Sequence, residues 1–335
     1  RLRAAIVSRI KIRAKLNIAE HRLPQDGRIR ATVSGVDYDL RVSTAPTMHG
    51  ESIVMRVLDR SSLVHDLGAL GFTDGALAPF LQVLDRPQGI LLVTGPTGSG
   101  KTTTLYTALM RLNSPGKKLF TVEDPIEYQI EGINQIQVKP QIGLGFAHVL
   151  RAILRQDPDI VMIGEMRDLE TAQIAIQAAL TGHLVLSTLH TNGAAATVTR
   201  LLEMGVSDYL VTATLNGVLA QRLVRKLCPS CREPYPALPE LVGSLGLADR
   251  RDLVLHRPCG CESCRGTGYR GRMAITELLV MSDPIRRLVL RNAEAGEIHR
   301  AAQAEGMRSM YRDGVDKALS GLTTIEEVLG VARDA

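Results

Sequence analysis

Tryptophan is absent from this chain, and the aromatic complement is four Phe and seven Tyr among 335 residues. Cores of such a composition are filled by Leu, Ile, Val and Ala. A platform of rings on which nucleic-acid bases could stack has little to be made from. No apolar run approaches the ~18 residues that cross a bilayer, and no charged segment followed by an apolar one opens the chain. A cytosolic protein is therefore expected. No block of one charge sign is present either: the formal net charge is +5 and the pI near 9.0, but Lys and Arg are dispersed, the pattern of a solvated surface. The positive balance suits an acidic partner without naming one. No internal repeat is evident.

What is present is enough apolar and charged material for two or three globular domains. The chain opens at Arg1, without Met, in what reads as an amphipathic helix carrying Ile6, Ile10 and Leu16, so a fragment lacking an upstream domain is expected. From Arg28 the pattern alternates: Ile29, Ala31 and Val33 precede Ser34-Gly35, and Val36, Tyr38, Leu40 and Val42 follow it, which predicts a β-hairpin. A further strand over 52–58 completes a small α+β domain, residues 1–67, followed by a linker at 68–88. From Gly89, short apolar runs at 89–94, 119–122, 160–163 and 184–189 alternate with helical patterns, the signature of a parallel α/β sheet, assigned to 89–226. Asp168 is the expected N-cap of a helix over 169–180, and Thr323 with Glu326 forms a capping-box pattern. Residues 227–272 break the rhythm, and 273–335 read as a helical end.

The sequence from Gly95 to Thr102, Gly-Pro-Thr-Gly-Ser-Gly-Lys-Thr, matches G-x-x-x-x-G-K-T after a strand and before a helix. Gly95, Gly98 and Gly100 allow the bends that carry the chain past Pro96, which has no N–H, and turn the backbone N–H groups of Thr97, Gly98, Ser99 and their neighbours toward phosphate, at a helix N-terminus. Lys101 is the expected partner of the β- and γ-phosphates, and Thr102 the hydroxyl ligand of Mg²⁺. A Gly-rich turn without ligand is the plain alternative, and both flanks speak against it.

Two acidic strand ends complete the picture. Glu165 closes Ile163-Gly-Glu, where nucleotide hydrolases of this sheet type place an acid near the metal. Glu123-Asp-Pro-Ile-Glu127 presents several carboxylates at the same sheet edge, where one could orient water. His183 and His190 bracket one short strand; each reads equally as a structural hydrogen bonder or as a sensor of the γ-phosphate.

Cys228-Pro-Ser-Cys231 and Cys261-Glu-Ser-Cys264 are two C-x₂-C pairs about thirty residues apart, suited to tetrahedral Zn²⁺ in a closed structural site. Disulfides do not fit the reducing compartment expected. Cys259 reads as a bystander, with replacement of Cys261 as the alternative.

Together these motifs resemble the type II secretion and type IV pilus assembly ATPases. Val7–Ile12, Leu23–Gly27, the phosphate loop and 321–329 carry the resemblance across nearly the whole chain, with Glu123–Glu127 similar to that family's Asp box, Ile163–Asp168 to its Walker B segment and Thr181–His190 to its His box. The resemblance implies an α/β fold: a RecA-like P-loop ATPase domain preceded by a small α+β, PAS-like domain, with a tetracysteine zinc subdomain and a helical C-terminus. It implies Glu127 as catalytic base, Glu165 at the metal, His190 near the γ-phosphate with His183 in support, and Arg41 and Arg56 as arginines offered to nucleotide. It further implies ATP, Mg and Zn as cofactors, a homo-hexamer, and inner-membrane platform and docking proteins as partners, reached from the cytoplasm without the chain itself entering the membrane. The tetracysteine insert favours secretion or pilus extension over retraction. A nucleic-acid translocase and a nucleotide-binding scaffold that does not turn over are the competing readings; dispersed charge counts against the first, and the acids Glu127 and Glu165 against the second.

Overall fold

The computed structural model describes residues 2–59, 66–247 and 253–332, and the chain divides into two compact units, Arg1–Leu63 and Val64–Ala335. The boundary expected near Leu67 thus falls beside residues 60–65, which lie outside the described residues.

The first unit holds α1 (Leu2–Arg13) and the antiparallel strands β1 (Gln25–Val33), β2 (Val36–Thr47) and β3 (Gly50–Asp59), in the order β1-β2-β3. Ser34 and Gly35 both take positive φ (54° and 80°), the two-residue turn whose twist matches the flanking strands. Its core is small: Ala14, Ile29 and Val42, with Ile10, Leu16, Leu40 and Ile53 against them. Ile6 is exposed, and Leu16 lies past the helix end. Lys11 is buried instead, its Nζ donating to the Glu20 carbonyl at 2.7 Å and pairing with Glu51, which also meets His21 Nδ1 at 2.7 Å.

The second unit is built on a seven-stranded sheet in the order β12-β9-β4-β8-β7-β5-β6. Its strands are β4 (Gly89–Thr94), β5 (Leu119–Glu123), β6 (Asn134–Gln137), β7 (Ile160–Ile163), β8 (Leu184–Leu189), β9 (Leu215–Leu227) and β12 (Tyr269–Val280). All neighbours run parallel except β12 against β9. Every residue of β4, β5, β7 and β8 is buried, as expected for parallel strands covered on both faces, which is why they read as continuous apolar runs. Among the helices, α3 (Lys101–Leu112) and α5 (Leu169–Leu180) pack on β4 and β8. Asp168 caps α5, accepting from Thr171 N at 2.8 Å.

Three expectations shift. Residues 68–88 are not a bare linker, because α2 (Asp74–Leu84) buries Phe80, Val83 and Leu84 and packs on β9 and β12. Residues 273–280 continue the sheet in β12 before the helices α9 (Asp283–Leu290), α10 (Ala295–Ala304), α11 (Met310–Leu319) and α12 (Ile325–Val331). The cap of α12 is Thr324, which accepts from Glu327 N; Thr323 instead donates to the Arg225 carbonyl at 2.8 Å, and Glu327 binds Arg225.

Candidate functional site

The phosphate loop leaves β4 at Thr94 and enters α3 at Lys101. Gly95 (φ 146°) has no room for a side chain: a Cβ there would lie 2.4 Å from the Gln221 carbonyl and 2.6 Å from Ser99 Oγ. Ser99 Oγ is buried and among the described residues finds no hydrogen-bond partner, which fits a loop shaped for an added acceptor. Lys101 Nζ donates to the carbonyls of Gly95 (2.8 Å) and Pro96 (3.0 Å). Burial holds its pKa below the usual range, opposed by the charge of Glu165. Thr102 is exposed on the first turn of α3.

Glu165 follows β7 and stands at the same sheet edge. It pairs with Arg167, and its Oε2 lies 3.7 Å from His190 Nε2. His190 follows β8, and its pKa is lowered by burial and then by Lys101, with the charge of Glu165 opposing. The loop that carries it is fixed to the phosphate loop: Thr94 Oγ1 shares a 2.7 Å hydrogen bond with Thr191 Oγ1 and accepts from Thr191 N at 3.0 Å. Thr188 Oγ1 donates to the Gly164 carbonyl at 2.7 Å, tying β8 to the Glu165 turn. Lys101, Glu165 and His190 therefore converge.

The acids of 123–127 separate. Glu123 is buried inside the sheet, accepting from Tyr106, from Thr121 Oγ1 at 2.5 Å and from Gln135 Nε2 at 3.1 Å, and burial raises its pKa. It serves the fold. Tyr106 Oη also accepts from Glu127 N at 3.1 Å, so the same phenol that meets Glu123 pins the backbone on which half-buried Glu127 sits. His183 does not join the site. It precedes β8 at the opposite edge, its carbonyl accepting from Gly89 N and its Nδ1 lying 2.8 Å from the Ala178 carbonyl; a strand of that length puts it about 20 Å from the phosphate loop.

In the first unit, strand register sets Arg28 opposite Arg41 and Arg41 opposite Arg56. Three guanidinium groups thus share one rung on one sheet face, where like charges oppose each other. Arg28 also pairs with Asp39 at 3.1 Å. The family resemblance points to Arg41 and Arg56; Arg28 is found by register alone.

The thiols of Cys228, Cys231, Cys261 and Cys264 gather within 4.8 Å of one another. Sulfur separations of 3.8 Å (Cys228–Cys261), 3.9 Å (Cys231–Cys264) and 3.7 Å (Cys261–Cys264) are those of a tetrahedron with bonds of about 2.3 Å to a central Zn²⁺. Backbone N–H groups of Cys261 and Gly268 point at Cys264 Sγ, at 3.1 and 3.2 Å. Cys259 is exposed and outside the group, with its Sγ toward the Arg257 carbonyl.

The model of the type II/IV secretion system protein family matches residues 1–330. The chain belongs to this family. Type II secretion system protein E of Xanthomonas campestris pv. campestris is 63% identical over 338 residues, covering all of this chain and 59% of that protein. The type II secretion system ATPase E of Vibrio cholerae is 52% identical, over all of this chain and 66% of its own length. The type IV pilus assembly ATPase PilB of Thermus thermophilus is 53% identical, over 97% of this chain and 37% of its own length. The chain thus spans between 37% and 66% of these relatives. The crystal structure of the pilus retraction motor PilT with bound ADP superposes with a TM-score of 0.69 at 28% identity, covering 93% of this chain and 78% of that one. The α/β fold is the one shared with these motors. Among the described residues no helix is long and apolar enough to cross a membrane.

Sequence reasoning passed over Gln221, Thr94, Thr191 and Tyr106, which hold the loops in place. Of these only Thr191 carries a signal, its place beside His190.

Proposed function

We propose that this chain is the nucleotide-hydrolysing part of a type II secretion ATPase, converting ATP hydrolysis into movement of an inner-membrane platform from the cytoplasmic side. The observation that carries the reading is the convergence of Lys101, Glu165 and His190 on the phosphate loop at one sheet edge, in a chain of this family. Lys101 and the N–H groups of 97–102 would hold the β- and γ-phosphates. Thr102 and Glu165 would hold Mg²⁺, whose charge offsets that of the transferring phosphoryl group. Glu127 would take the proton of the attacking water. His190 would contact the γ-phosphate and pass its loss from the end of β8 to β4 through the Thr94–Thr191 bond.

Arg41 and Arg56 would bring positive charge to the phosphates as domains close within a ring of six, so that hydrolysis and domain motion are linked. Zn²⁺ held by Cys228, Cys231, Cys261 and Cys264 would be structural, because four thiolates leave no open position. Docking proteins of the secretion machine would tether the ring to the membrane. Phosphate release from Mg-ATP by the wild type and by Lys101→Ala tests the site: the variant loses it, and equal rates would reject the assignment. Service to a type IV pilus is the second reading, favoured by the PilB relative at 53% identity. Rescue of a secretion-deficient strain, compared with a pilus-deficient one, separates the two.

A further inference from the structure

We infer that Gln221 is a positioning residue for nucleotide, acting by fixing the orientation of one peptide of the phosphate loop; the inference rests on the phosphate-loop reading above. Gln221 lies midway along β9, next to β4, and is 1% exposed. Its Nε2 donates to the Ser99 carbonyl at 2.8 Å, and its Oε1 accepts from Thr104 Oγ1 on α3 at 2.9 Å. Both ends of the amide are used, one on the loop and one on the helix the loop feeds. A carboxamide supplies a donor and an acceptor side by side.

The consequence lies in the peptide plane. In a trans peptide the C=O and the following N–H point in opposite directions. Drawing the Ser99 carbonyl toward β9 therefore aims the Gly100 N–H away from β9, as one of the loop donors that a phosphate would use. Gly100 sits at φ 91°, and glycine is the residue least able to resist rotation of that peptide by itself. The same strand position also limits the loop sterically, since a Cβ on Gly100 would lie 3.0 Å from Gln221 Nε2 and one on Gly95 would lie 2.4 Å from the Gln221 carbonyl. Gln221 thus abuts both ends of the loop and bonds a residue between them. No phosphate contact is needed for this role.

The test is the dissociation constant of a fluorescent ATP analogue, with Mg²⁺, on the full chain, alongside the thermal midpoint. Gln221→Met keeps the shape and removes both bonds; Gln221→Glu keeps the acceptor for Thr104 and loses the donor to Ser99; Thr104→Val breaks only the helix bond. Loss of an orienting buried hydrogen bond predicts affinity weakened about tenfold in both Gln221 variants and by less than about twofold in Thr104→Val. A purely structural role would lower the midpoint in all three and leave affinity unchanged. Lys101→Ala is the reference: if it has lost the analogue while Gln221→Met and Gln221→Glu bind like wild type, the inference is overturned and the phosphate-loop reading stands. If Lys101→Ala itself binds like wild type, both fall.

Discussion

Replacing Tyr106 by Phe removes a single oxygen that has two partners. The phenol is fully buried, donates to Glu123 and accepts from Glu127 N. Glu123 would keep Thr121 and Gln135 but lose one of three donors in a site where burial already raises its pKa. Removing one partner of a buried polar group costs about 1–3 kcal/mol. At about 2–4 °C per kcal/mol for a domain of this size class, the midpoint falls by roughly 2–12 °C. The pH dependence has a definite sign. The folded pKa of Glu123 lies above the ordinary carboxyl range, with burial the largest cause and the Thr121, Tyr106 and Gln135 bonds opposing it. A group shifted upward contributes stability below the unfolded pKa and loses it as pH rises through the folded one. Losing the phenol raises that pKa further, so the deficit of Tyr106→Phe grows from acid to alkaline pH. Thermal unfolding followed by circular dichroism across a pH series from acid to alkaline measures it. Equal midpoints, or a deficit that shrinks as pH rises, would refute the reasoning.

Metal content of the purified chain should be about one Zn²⁺ per chain, and Cys261→Ser should lose it and lower the midpoint, read by a colorimetric zinc assay beside the melt. Lys317→Met breaks the buried pair with Asp313, in which Asp313 also accepts from Thr276 N and Lys317 donates to the Ala274 carbonyl at 2.7 Å; urea unfolding should show a loss of about 3–5 kcal/mol, much of it restored when Asp313 is changed to Leu as well. In the first unit, Glu51 has a lowered pKa because of Lys11 first and His21 second, so its contribution is present above the unfolded pKa and lost as pH falls through the folded one. The protection factors of the β3 amides, which correct for the intrinsic slowing of exchange in acid, should fall as pH falls, and less so in Glu51→Gln.

The parallel strands and the phosphate loop could be read from the sequence because each obeys a local rule: β4, β5, β7 and β8 are short apolar runs, and the loop's glycines and lysine occur at fixed spacing. The cysteine pairs are equally local, and the thiols of all four meet. What escaped depends on register between distant segments. Strand β9 mixes Asn216, Gln221, Arg222 and Arg225 into an apolar run, so nothing in the alternation marks it as the neighbour of β4. The separation of Glu123 from Glu127 follows from where the Tyr106 phenol arrives, 17 and 21 residues earlier in the chain, which spacing alone does not encode. The resemblance sets His183 in support of His190, yet the two flank β8, and a parallel strand has one end at the ligand edge and the other far from it.

The most direct test of the account is the rate of phosphate release from ATP across protein concentration, for wild type and Glu127→Gln, with molar mass followed by light scattering. The account predicts a specific rate that rises as assemblies of six form and that falls by about 100-fold or more in the variant. A rate independent of assembly, or one that survives the substitution, would contradict it.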